Sequence, residues 1–203
     1  MYQALNATSK TLRDHLRTQI LADPFLNGST SPWHVRSMQV AMNTPTEMVE
    51  NNQEGLSLWL YRVVRDPEHL NDPPLRVAVS TILPPPLPLR LHYMITPITS
   101  RANQGDPDTE QYVLGKVMQI LHSRPVLRGA DLRGEFVGSD VELTVRLETL
   151  NLDEIARVWD ALEGSYQLCV SYEVSVVNID SALEAQEFTP VETVVPEIGL
   201  IVG

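Results

Sequence analysis

The chain has 203 residues, a net charge of −11 and 43% hydrophobic residues. That apolar content suits one folded domain and excludes a disordered polymer. The acidic balance excludes the basic surface on which direct nucleic-acid binding depends.

Residues 2–22 predict a helix. Leu5, Leu12, Leu16 and Ile20 recur at near-helical spacing, and Asp23-Pro24 ends the pattern because the residue before proline avoids helical geometry. Residues 27–32 are turn formers, residues 35–42 predict a short strand, and residues 44–52 are polar with one helical turn. Residues 54–65, EGLSLWLYRVVR, predict a strand. Leu56, Leu58 and Leu60 share one face; Trp59, Tyr61 and Val63 share the other, so a central strand covered on both sides is expected. Residues 66–74 predict a loop.

The stretch 84–99, PPPLPLRLHYMITPIT, predicts a strand with strict alternation. Leu87, Leu89, Leu91, Tyr93 and Ile95 point one way; Pro88, Arg90, His92, Met94 and Thr96 point the other. Residues 84–86 are prolines that cannot donate to a ladder, so they precede the strand. The outward Arg90, His92 and Met94 are candidate contacts to a packed helix or a neighbouring subunit.

After a polar turn at 100–108, Asp108 is expected to cap a helix, with Gln111 at the capping-box position. Leu114, Val117, Met118 and Leu121 form its apolar stripe, and Arg124-Pro125 stops it. Residues 127–139 hold three glycines and predict a loop or weak hairpin. Residues 141–147 predict a strand with Val141, Leu143, Val145 and Leu147 inward. Asn151, with Glu154 three residues on, caps a second helix striped by Ile155, Val158, Trp159 and Leu162. Residues 166–179 predict the longest strand, with Leu168, Val170, Tyr172, Val174 and Val176 on one face.

This order implies an α+β domain over residues 1–180, with a mixed or mainly antiparallel sheet and helices packed mostly on one side. Residues 181–203 are expected to be an acidic then apolar extension. Its Val194, Val195, Ile198, Leu200 and Ile201 are candidate subunit-interface residues. Residues 148–203 hold eleven acidic residues against Arg157 alone, so nearly all the imbalance lies in the last quarter. That reads as a solvated acidic face, or as docking onto a basic partner surface.

Catalytic patterns are missing. None of the five histidines stands at metal-ligand spacing from another His, a Cys or a suitable acid. There is no HExxH, CxxC, GxSxG or phosphate-cradling glycine loop. No catalytic, cofactor-binding or metal residues are therefore expected, and the chain does not read as an enzyme. Cys169 has no internal disulfide partner. With no secretory signal and no apolar run long enough for a membrane helix, a cytoplasmic assembly without direct membrane insertion is expected.

Four segments taken in order carry a family resemblance: LYRVVRDPEHLNDPP, PPPLPLRLHYMITPIT, LGKVMQILHSRPVL, and LETLNLDEIARVWDALEGSYQLCVSYEVSVVNID. Together they resemble the tail-terminator or cap proteins of phage-tail-like contractile injection systems of the virulence-cassette and antifeeding-prophage type. The resemblance spans about residues 2–181. It implies a phage tail-terminator-like fold and a structural cap. Such a cap forms a homo-oligomeric ring, expected to be a hexamer, at the baseplate-distal end. It ends polymerisation and ties sheath to inner tube, whose subunits are the implied partners. It would leave the cell or attach to a membrane only as part of the particle. Two alternatives stay open: an adaptor linking the particle end to a membrane or plug, and a small cytosolic enzyme or ligand-binding domain.

Overall fold

The computed structural model describes residues 2–69, 71–78, 80–99 and 105–187. The first helix, α1 (Ala4–Leu21), buries Leu12, Leu16 and Ile20 and also Ala4, Ala7, Thr8, Ser9 and Thr11. Small residues let the helix lie close against its neighbours. Thr8 and Thr11 each donate to the carbonyl four residues back at 2.8 Å, so their burial leaves no hydroxyl unmatched.

A short α2 (Pro32–Val35) takes part of the expected strand, leaving only β1 (Gln39–Ala41) extended. Pro32 at the first helical position favours that turn. α3 (Pro45–Glu50) starts at a capping box made by Thr44 and Glu47. β2 (Gly55–Arg65), β5 (Leu87–Ile98), β7 (Glu142–Glu148) and β8 (Val170–Ile179) are the long strands, and β6 (Val126–Arg128) is short. They form a six-stranded sheet in the order β1-β2-β5-β8-β7-β6. Every pairing is antiparallel except β1 with β2.

The central position falls to β5, not to β2. From Pro88 onward every β5 residue except Arg90 is buried. On β2, Leu56 and Leu58 are buried but Val63 is 43% exposed. The reason is length: β1 pairs only with Gly55, Leu56 and Ser57, so the rest of β2 forms a sheet edge.

α4 (Pro107–Ser123) and α1 cover one face of the sheet. Leu91, Tyr93, Ile95, Val145 and Val174 pack there with Leu12, Leu16, Val113, Val117 and Leu121. Over one end of the opposite face lies α3, where Ser57 Oγ donates to the Asn43 carbonyl at 2.7 Å. α5 (Leu152–Ala161) ends beside it: a Cβ on Gly164 would stand 3.2 Å from Thr46 Oγ1. The cap at Asn151 and Glu154 forms as expected, but of the α5 stripe only Trp159 is buried.

Three further differences have local causes. Asp106, not Asp108, caps α4, accepting the Thr109 amide at 3.1 Å, because Pro107 fills the first helical position. β8 carries an extra residue opposite Arg90, so Val177 turns inward in place of Val176. Residues 127–139 resolve into β6 and two 3-10 turns, with Leu132 and Phe136 buried.

A second sheet was not expected. β3 (Leu75–Ala78), β4 (Thr81–Leu83) and β9 (Gln186–Glu187) pair in that order, so the start of the extension joins this sheet.

Candidate assembly surfaces

Arg90, His92 and Met94 do share a face of β5, but their contacts are made within the chain. Met94 is 1% and His92 4% exposed, so neither offers free surface to a neighbour. Met94 sits between Trp59 and Ser171 in the ladders. Arg90 donates to Asp66 at 2.9 Å and approaches Glu68 at 3.2 Å and Glu173 at 3.7 Å. Val194, Val195, Ile198, Leu200 and Ile201 lie outside the described residues.

His92 anchors a polar network that no single segment announces. Its Nδ1 lies 2.9 Å from Glu148 Oε1, while Ser171 Oγ donates to Glu148 Oε2 at 2.7 Å. Tyr61 Oη lies 3.1 Å from Ser171 Oγ and donates weakly to Glu148 at 3.4 Å. Burial pushes the Glu148 carboxyl up, but hydrogen bonds from Ser171, His92 and Tyr61 outweigh it and hold the group below its ordinary value. Burial and the neighbouring carboxylate push the Tyr61 phenol up. Glu173 lies directly across the ladder from His92. The parity of the alternation revealed His92's face; its partners depended on a register that one strand does not contain.

Two other surfaces lack cover among the described residues. The Val145 amide donates to the Pro125 carbonyl at 2.7 Å, and beyond that point no described strand pairs with the outer edge of β7. Next to that edge a cleft of about 610 Å³ lies between α4 and β7, lined by Met118, Leu121, Pro125, Val145, Leu147 and Tyr172. Leu147, expected inward, is 52% exposed there. The β3–β4–β9 sheet is the second: Leu75 is 62%, Val77 52% and Leu183 66% exposed. Small sheets without a buried face are marginal alone in water, and these apolar positions stand exposed among the described residues. Neither surface was found from sequence: β3 and β4 are too short for period 2 to stand out, and the free edge of β7 depends on strand order.

Strand edges without a described partner and exposed apolar positions suit a part that joins other parts. The family model of the Pvc16 N-terminal domain matches residues 7–193. The chain belongs to this family. The Pvc16-type fold is shared with two solved structures. One is the PVC sheath/tube terminator of an extracellular contractile injection system in its extended state, with a TM-score of 0.59 at 17% identity, covering 97% of this chain and 64% of that one. The other is the anti-feeding prophage tube-terminating cap, with a TM-score of 0.56 at 17% identity, covering 98% of this chain and 61% of that one. This Pvc16-type chain thus spans under two thirds of either terminator's length. No curated protein sequence matches it. Among the described residues no helix is long and apolar enough to cross a membrane.

Proposed function

We propose that this chain caps a contractile injection particle, forming a ring at the baseplate-distal end that stops polymerisation and ties the last sheath layer to the inner tube. The observation that carries this reading is the match to the Pvc16 N-terminal domain over residues 7–193. The fold shared with a sheath/tube terminator and a tube-terminating cap supports it. The role is structural and non-enzymatic. The ring is homo-oligomeric with six copies, the expectation of the family resemblance; heterologous contacts around a rotation axis close such a ring. Its partners are sheath and inner-tube subunits. It assembles in the cytoplasm and leaves the cell with the particle.

Contacts between copies fall to the uncovered β7 edge, the small sheet and the apolar residues Val194, Val195, Ile198, Leu200 and Ile201. Arg90, part-exposed at the end of its acidic cluster, is kept as a rim contact. Electron microscopy of particles assembled without this chain tests the reading. Sheaths of uncontrolled length with frayed distal ends are expected. Particles of normal length with intact ends would overturn it.

A further inference from the structure

We propose that His92, Glu148 and Glu173 hold one divalent transition-metal ion, Zn²⁺, which staples three adjacent strands. The three residues come from β5, β7 and β8, the strands at the heart of the sheet. His92 faces Glu173 across one ladder; across the next, Glu173 faces Arg146 and Ser171 faces Glu148. All three side chains therefore stand on one face, with Glu148 one diagonal step away, a distance long side chains span. Their ligand-type atoms all lie within 4.8 Å of one another.

The distances suit a shared ion. His92 Nδ1 and Glu148 Oε1 are 2.9 Å apart. Two ligands bonded at about 2.1 Å and set at the tetrahedral angle on one zinc ion are about 3.4 Å apart, so a side-chain movement of about 0.5 Å exchanges the shared proton for a metal bound to both. Glu148 is prepared for the metal, since Ser171 and Tyr61 orient it.

Two observations lie outside that pair. His92 is 4% exposed and its Nε2 has no hydrogen-bond partner among the described residues. A ligating imidazole engages both nitrogens, one with metal and one with a hydrogen bond, so an ion on Nδ1 calls for a hydrogen-bond partner at Nε2 as well. Glu173 is ion-paired with Arg90 at 3.7 Å, the longest of three contacts that guanidinium makes, with Asp66 at 2.9 Å and Glu68 at 3.2 Å.

The donor set selects the class of ion. One imidazole with two carboxylates suits Zn²⁺ and related ions; it offers too few oxygens for Ca²⁺, and Mg²⁺ seldom takes imidazole. Spacing along the sequence excluded such a site because each ligand sits on a different strand.

The test uses the full chain, stripped with a chelator and titrated with ZnCl₂ by calorimetry, with Co²⁺ as a spectroscopic probe. One ion per chain is expected, with visible Co²⁺ bands, a higher melting temperature in Zn²⁺ and no response to Mg²⁺. Glu173→Gln should weaken Zn²⁺ binding at least tenfold while leaving the metal-free melting temperature close to the parent's. Glu148→Gln should weaken binding too, and serves if the first variant folds poorly. Absence of saturable Zn²⁺ binding, or unchanged affinity in both variants, would reduce the trio to a hydrogen-bonded ion pair and overturn the proposal.

Discussion

His15 is the residue whose ionisation most plainly opposes folding. It is 7% exposed on α1. Burial pulls its imidazole below the ordinary 6.5; Asp131 raises it, while Arg124 and Arg133 lower it further. The folded state therefore binds fewer protons than the unfolded chain as pH falls through that ordinary value. Stability is full above it and declines below. The urea midpoint should drop between about pH 7.5 and about pH 5.5, and His15→Gln should flatten that drop. Tyr93 makes a second case. Its buried hydroxyl lies 2.8 Å from Ser9 Oγ, and burial pushes its phenol up. Tyr93→Phe should cost about 1 kcal/mol in chemical denaturation, because Ser9 keeps its bond to the Leu5 carbonyl. At this scale the sequence was legible for packing and opaque for partnership. Tyr93, Leu91 and Ile95 share a face by alternation alone. That Ser9 would meet Tyr93, or His92 meet Glu148, follows from how distant segments dock.

Elements were legible where a cap or a long period marked them. Asn151 with Glu154 and the β5 alternation survive; the α4 stripe keeps Leu114, Val117 and Leu121, while Met118 is exposed and Val113 and Ile120 are buried with them. The β3–β4 hairpin escaped because neither strand exceeds two full periods, and the central place of β5 because strand order is a property of the sheet. Two elements carry predictions. Gly55 adopts φ +138°, and a Cβ there would fall 1.9 Å from the Gln39 carbonyl oxygen. Gly55→Ala should destabilise the fold by roughly 3 kcal/mol or more, read as a lost or shifted thermal transition, since strain and overlap act together. At the start of α4, Thr109's hydroxyl and amide donate to Asp106, and Arg36 adds its charge; together they hold this carboxyl below its ordinary 3.8. The cap is present above that value and is lost as pH falls through the lower native one. The Thr109 amide resonance should report a titration midpoint below 3.8, and Asp106→Ala should cost about 1 kcal/mol.

For the whole molecule, the proposed assembly contacts are assigned to residues other than those of the core. Removing residues 193–203 should impair ring formation or docking while the domain's melting temperature stays near the parent's. Sedimentation and calorimetry on one preparation read both, and an unchanged ring would remove the extension from the interface. The sheet topology also orders events in time. Leu89 pairs with Val177, and α1 packs against β8, so segments far apart in the chain must meet before either is secure. Closing such long loops costs entropy before contacts repay it, which places refolding on the order of milliseconds to seconds. A ribosome still translating β7 has already released a β5 with one bare side. The nascent chain therefore carries its stickiest strand uncovered until β8 emerges, and a chaperone that binds extended apolar segments should find it there.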